Sequence, residues 1–255
     1  DAVKLQTYTP DTMTIKSNRE EFKIKNGIWK GQTLWDLYDK AQTPFEWHKE
    51  LFSYAKKIKM TCFSTPFDET AVDLLEKLNC PIYKVASFEL NHFPLLTKIA
   101  HTGKPVMAST GVSQKDEIDD ALRVLRASGC TEIILLHCVS EYPAEPKDFC
   151  LQNMVDLKKA HHVEYGLSDH SMGNVVAIAA TALGARVIEK HLCLDRDEES
   201  IDGQFSMLPD EFAEMVQSVR MTHLAISGNK DVPQSPSTFK RSILVSSPIS
   251  VGDQF

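Results

Sequence analysis

Two lysines sit where the chain ought to bury them. Lys4 lies within Ala2-Val-Lys-Leu-Gln-Thr7 and Lys84 within Ile82-Tyr-Lys-Val-Ala-Ser87, both otherwise poor in charge. A buried ammonium group costs several kcal/mol unless an anion offsets it. A phosphate or carboxylate ligand would do so, and would also account for Ser87, Ser109 and Ser168 at the ends of comparable runs. The plainer alternative is a salt bridge to Glu89 or Glu189. His170 and His191 close two successive β-rich runs. Neighbouring parallel strands lie ~4.8 Å apart, so imidazoles at matched ends can converge on one divalent cation. A strand-end histidine bonded only to backbone is the alternative. Asp202, in the following loop, could support the pair or bind a substrate hydroxyl. His48, His92, His101, His161, His162 and His223 fall in helical or loop stretches and read as surface residues, whereas His137, inside an apolar run, reads as core.

Such residues can cooperate only if one frame brings their strand ends together. Seven β-rich runs alternate with helical patterns: 2–7, 60–64, 82–87, 105–110, 132–138, 164–170 and 186–191. Most do not alternate cleanly between polar and apolar, as expected of parallel strands covered on both sides. Ser113 before Gln-Lys-Asp-Glu117 predicts an N-cap with an acidic first turn. Gly129 predicts the end of that helix. Helices are also expected over 91–102, 172–183 and from Pro209 to about 226, while 10–43 reads as an elaborated loop. The βα period points to a (β/α)8 TIM barrel, whose strand ends share one mouth. That mouth would hold Lys4, Gln6, Phe67, Lys84, Ser87, Glu89, Ser109, Ser140, Tyr142, Ser168, Asp169, His170, Glu189 and His191. A doubly wound sheet is the runner-up, but no glycine-rich phosphate fingerprint follows any strand. With seven runs against a barrel's eight, and a chain that begins inside a strand, a first βα unit is expected to be missing. Residues 1–228 form the expected barrel domain, 229–240 a linker, and 241–255 the truncated start of a small β domain.

Composition narrows the class. Hydrophobic residues make up 42% and charged ones 25%, ordinary for a globular protein. A formal net charge of −7 argues against general nucleic-acid binding. No run approaches the ~20 apolar residues of a membrane span, no signal peptide opens the chain, and six cysteines without a CxxC pair read as reduced, so a cytoplasmic protein is expected.

The motifs carrying these residues resemble the sialic acid synthase family, most closely its pseudaminic acid branch. The resemblance runs through Ala2-Val-Lys-Leu-Gln-Thr7, Phe63-Ser-Thr-Pro-Phe67, Lys84-Val-Ala-Ser-Phe-Glu89, Ser109-Thr-Gly111, Leu136-His-Cys-Val-Ser-Glu-Tyr-Pro143, Gly166-Leu-Ser-Asp-His170 and Glu189-Lys-His191. The branch rests on residues 34–49, LWDLYDKAQTPFEWHK, where neuraminate synthases usually read differently. The resemblance implies condensation of phosphoenolpyruvate with an acetamido sugar, with neuraminate or legionaminate synthesis, or a non-catalytic barrel, as alternatives. It implies that His170 and His191 hold Mn2+ or Mg2+, and that Lys4, Lys84, Ser87, Ser109, Ser140 and Ser168 surround phosphoenolpyruvate. Ser140 stands where neuraminate synthases often carry Asn. Gln6, Phe67, Glu89, Tyr142 and Asp202 are implied to line the sugar pocket, and Glu89 is the candidate for proton handling. It further implies a domain-swapped homodimer with a C-terminal antifreeze-like (SAF) domain. The family's first strand supplies a glutamate and that C-terminal domain an arginine, and neither group lies within these residues.

Overall fold

Seven parallel strands form one sheet in the order in which they occur in the chain. They are β1 (Ala2–Thr7), β2 (Thr61–Pro66), β3 (Tyr83–Val85), β4 (Val106–Ser109), β5 (Ile133–Cys138), β6 (Glu164–Asp169) and β7 (Ile188–Lys190). The computed structural model describes residues 1–27, 29–196, 201–228, 241 and 244–254. A doubly wound sheet would reverse its strand order partway across, and this one does not. Although β1 and β7 stand at opposite ends of the order, the Lys4 ammonium lies 3.3 Å from the Glu189 carboxylate. The sheet is therefore strongly curled, an α/β half-barrel whose two edges face each other across its interior.

All seven sequence-predicted strands are present, most of them shorter than expected. Helices follow the strands: α1 (Pro10–Met13), α2 (Leu34–Ala41), α3 (Phe45–Lys57), α4 (Glu69–Lys77), α5 (Phe93–Ala100), α6 (Lys115–Ala127), α7 (Gln152–His161), α8 (Val175–Ala182) and α9 (Pro209–Ser227). The stretch after β1 is thus more ordered than a loop, because Thr33 accepts the Asp36 N–H and starts α2. Helix α6 begins after Gln114 rather than Ser113. The Gln114 N–H donates to Glu117 at 2.7 Å, so the acidic first turn sets its start. The linker expected over 229–240 lies outside the described residues. Within 241–255, the described residues carry no strand.

The main core lies between the sheet and α4–α6. Leu75, Leu95, Leu96, Ile99 and Leu125 are fully buried against Tyr83, Val85, Val106 and Leu135. Each such side chain contributes about 1.5–3 kcal/mol of burial free energy. Because strand side chains alternate, this outward set leaves Lys84 and its counterparts facing inward. Gly166 lets β6 approach β7, since a Cβ there would lie 2.3 Å from the Val187 carbonyl oxygen.

Two histidines expected at the surface are buried. His48 Nε2 lies 2.8 Å from Thr7 Oγ1, which in turn lies 2.6 Å from Ser64 Oγ, so α3 is tied to β1 and β2 by polar groups in the interior. His161 is buried beside Asp119 at the end of α7. His137 is part-buried and pairs with the Phe149 carbonyl, consistent with its expected core role. The six cysteines are free thiols. No described helix is long and apolar enough to cross a membrane.

Candidate active site

The C-terminal strand ends open into a cavity of about 390 Å³. Strand alternation builds it: Lys4 and Gln6 enter from β1, Lys84 from β3, Ser109 from β4, Ser168 from β6 and Glu189 from β7, with His170 and His191 just beyond the last two. Ser87, Glu89, Phe67, Tyr142 and Asp202 line it from the loops. One sequence expectation is corrected: Asp169 alternates away from the cavity and forms a sealed pair with Lys190 at 2.8 Å. Ser140 stands next to Gly111 and Cys138, with its hydroxyl 3.8 Å from the thiol.

One pole of the cavity is cationic. Lys84 is buried, donates to Ser109 Oγ at 2.7 Å and lies 3.6 Å from Glu189 Oε1. Lys4 lies 3.3 Å from the same oxygen, and Ser168 donates to it at 3.0 Å. The alternative salt bridge is therefore real, but one carboxylate is shared by two ammonium groups, leaving a surplus positive charge. Burial alone would push Glu189 up; the Lys4 and Lys84 charges and the Ser168 hydroxyl instead hold it well below the usual carboxylate range. Burial pulls Lys84 below its ordinary value, opposed by Glu189. An anionic ligand would relieve that strain on Lys84. Beside this pole, Gly111 N–H donates to Ser87 Oγ at 3.0 Å, and a Cβ on Gly111 would fall 2.4 Å from Ser140 Oγ. The glycine keeps this hydroxyl-lined corner open.

At the other side of the pole stand the two imidazoles, ring centroids 5.4 Å apart. His170 Nδ1 lies 2.8 Å from the Val139 carbonyl, which can only accept, so Nδ1 carries the proton and Nε2 presents a lone pair. His191 Nδ1 faces Asp202 Oδ2 at 3.4 Å, orienting the second ring in the same manner. Tyr142 packs on His170 with centroids 4.3 Å apart, and Phe205 packs on His191 at 5.1 Å. Ligating histidines are characteristically fixed through their other ring nitrogen. Among the described residues no group of three or more His, Cys, Asp and Glu side chains is placed to hold a metal ion. Two imidazoles held in this way offer nitrogen donors of the kind a divalent cation takes.

Glu89 Oε2 is buried without a hydrogen-bond partner among the described residues. Burial pushes its pKa up to about 7, with the Lys84 charge opposing. Folding therefore favours the protonated form. Below the unfolded value of 4.5 both states hold the proton; as pH rises through the folded value the fold must ionise a buried group, and stability is lost. Glu89→Gln is expected to raise the melting temperature at pH 8 while leaving it unchanged at pH 4. Thermal scans at the two pH values check this, and an equal shift at both would discount burial as the cause.

Sequence reasoning missed the far wall: Tyr8, Met13, Ile24, Trp29, Leu37 and Tyr38 also line the cavity. Only the concentration of aromatic and aliphatic residues shortly after a strand could have signalled it. Cys138 and Thr65 are further lining residues not singled out in advance.

An α/β half-barrel with a cationic pole, an imidazole pair and an unpaired carboxyl at its strand ends defines a class, the barrel enzymes that act on small anionic substrates. Comparison with known proteins narrows it. The NeuB family model matches residues 1–231, and the chain belongs to that family. It is 42% identical over 259 residues to the pseudaminic acid synthase of Helicobacter pylori, covering 99% of this chain and 76% of that protein. The pseudaminic acid synthase of Campylobacter jejuni serotype O:2 is 40% identical, with 100% and 76% covered. Among solved structures, the N-acetylneuraminic acid synthetase of Leptospira borgpetersenii, in complex with citrate, superposes with a TM-score of 0.80 at 29% identity, covering 93% of this chain and 78% of that one.

Proposed function

We propose that the protein is a pseudaminic acid synthase, joining phosphoenolpyruvate to 2,4-diacetamido-2,4,6-trideoxyaltrose with release of phosphate and formation of a nine-carbon 2-keto acid. The observation that carries this is identity of 40–42% with pseudaminic acid synthases over essentially the whole chain.

The cavity supports a division of labour. Lys4 and Lys84, with one positive charge to spare after Glu189, hold the phosphate and carboxylate of phosphoenolpyruvate, assisted by Ser87, Ser109 and Ser168. Gln6, Phe67, Tyr142 and Asp202 position the open-chain sugar so that its aldehyde carbon faces C3 of phosphoenolpyruvate. Bond formation between these carbons leaves C2 electron-poor; water adds there, and the resulting tetrahedral centre expels phosphate. Orienting two bound reactants supplies about 7–11 kcal/mol in favourable cases. Glu89, ionised above about pH 7, takes the proton of the incoming water. His170 and His191 would hold Mn2+ or Mg2+, which when bound supplies Lewis-acid polarisation of the aldehyde oxygen. The proposal extends to a cytoplasmic homodimer with an antifreeze-like domain, as the resemblance of the motifs implies.

The complete protein, incubated with phosphoenolpyruvate, Mn2+ and the diacetamido sugar, is expected to release one phosphate per keto acid formed. Turnover of N-acetylmannosamine in its place would move the protein to the neuraminate branch. Absence of phosphate release with any acetamido sugar would end the synthase reading.

A further inference from the structure

Behind the strand ends that carry Gln6 and Phe67 runs a chain of three buried polar side chains, His48, Thr7 and Ser64, joining α3 to β1 and β2. His48 Nδ1 lies 3.0 Å from the Pro44 carbonyl, which can only accept, so Nδ1 carries the proton. Burial pulls the His48 pKa below its ordinary value, so the ring is neutral and Nε2 accepts from the Thr7 hydroxyl at 2.8 Å. The Thr7 proton is thereby committed, and Ser64 donates to Thr7 Oγ1 at 2.6 Å. One carbonyl thus sets the direction of every hydrogen bond in the chain. Apolar groups of the same shape would hold the elements together almost as well. What a fully paired polar chain adds is a single defined position.

Thr7 carries that position to the cavity. Its carbonyl accepts the Phe67 N–H at 3.3 Å, and its neighbours Gln6 and Tyr8 both line the cavity. Tyr8 packs edge-on against Phe67, with centroids 5.2 Å apart, and against Tyr38 at 5.8 Å. The cationic pole is fixed by other contacts: Ser109 holds Lys84, and Glu189 holds Lys4 and Ser168. Among the described residues, none of these side chains bonds to those of His48, Thr7 or Ser64.

Resting on the synthase reading above, we infer that His48 is a positioning residue, acting through Thr7 to set Gln6, Tyr8 and Phe67 for the sugar. Phosphoenolpyruvate, as the anion, takes the cationic pole, so the uncharged reactant meets the lining that the chain controls. Loss of the chain therefore acts on one substrate.

The test uses the complete protein with phosphoenolpyruvate, Mn2+ and the diacetamido sugar. Thr7→Val removes the middle hydroxyl with little change in volume. It is expected to raise the KM for the sugar about tenfold, since small misplacements of orienting groups are costly, and to leave the KM for phosphoenolpyruvate unchanged. Thr7→Ser keeps the hydroxyl and is expected to keep the sugar KM of the unaltered protein. His48→Leu removes both ring nitrogens at similar volume and is expected to match Thr7→Val, so either variant carries the test if the other fails to fold. A general loosening of the fold would move both KM values together. A sugar KM unmoved in a folded variant, a parallel rise in both KM values, or a Thr7→Ser enzyme as impaired as Thr7→Val overturns the positioning role and leaves the synthase reading intact. An unaltered protein that releases no phosphate overturns that reading, and the positioning role with it.

Discussion

Lys84→Met is expected to lower kcat/KM for phosphoenolpyruvate by about 10²- to 10³-fold. Lys84 is the buried member of the cationic pole, with Ser109 and Glu189 fixing its ammonium group. Losing one partner of a buried charged contact costs about 3–4 kcal/mol, and each 1.36 kcal/mol is a factor of ten. Methionine keeps most of the volume, so the loss isolates charge from packing. Two lysines facing one carboxylate would become one facing one, and the surplus that attracts the substrate anion would vanish. Steady-state kinetics with the sugar saturating measures the effect. The companion variant Lys84→Met/Glu189→Gln restores a single surplus positive charge and is expected to recover part of the affinity. A Lys84→Met enzyme with unaltered kcat/KM would show that the anion sits elsewhere.

His191→Ala is expected to abolish measurable Mn2+ binding by calorimetry and to reduce kcat by about 10³-fold. Lewis-acid assistance is worth several kcal/mol, and about 4 kcal/mol corresponds to three decades in rate. The ring packs on Phe205, faces Asp202 and stands 5.4 Å from the His170 ring. The discriminating readout is the cation titration. Full Mn2+ affinity in His191→Ala would separate the histidine pair from the metal and leave it as a sugar-binding element. His170→Ala is expected to behave in the same way, although it also removes the surface on which Tyr142 packs.

Much of this was legible in the amino-acid order, for identifiable reasons. Strands announce themselves through runs such as Ile133–Cys138, and a lysine inside one, as at Lys84, has few explanations. Strand position then predicted which residues share a mouth, and Gln6, Ser109, Ser168 and His191 all line it. Alternation was the weak point. Asp169 sits between two inward residues and was grouped with them, although period-two geometry turns it outward. His48 looked like an exposed helix residue because nothing local shows that Thr7 and Ser64 wait beneath it. The charge sharing at Glu189 depends on the two sheet edges meeting, a contact between residues far apart in the chain. The far wall was hidden because its members are scattered over a stretch that reads as loop.

The sealed ion pair between Asp169 and Lys190 has a bearing on how such a protein can change. Asp169 also accepts from the Ser171 N–H at 2.8 Å and hydroxyl at 2.7 Å, and Lys190 donates to the Ser171 carbonyl at 2.5 Å. Each partner is the immediate chain neighbour of a cavity histidine, so the ends of β6 and β7 are tied together behind the imidazoles. From the front, Tyr142, Phe205 and Asp202 set the rings themselves. Selection can rework the lining residues that touch neither ring to suit a new sugar while the two strand ends stay tied, which gives a scaffold of this kind room to diversify.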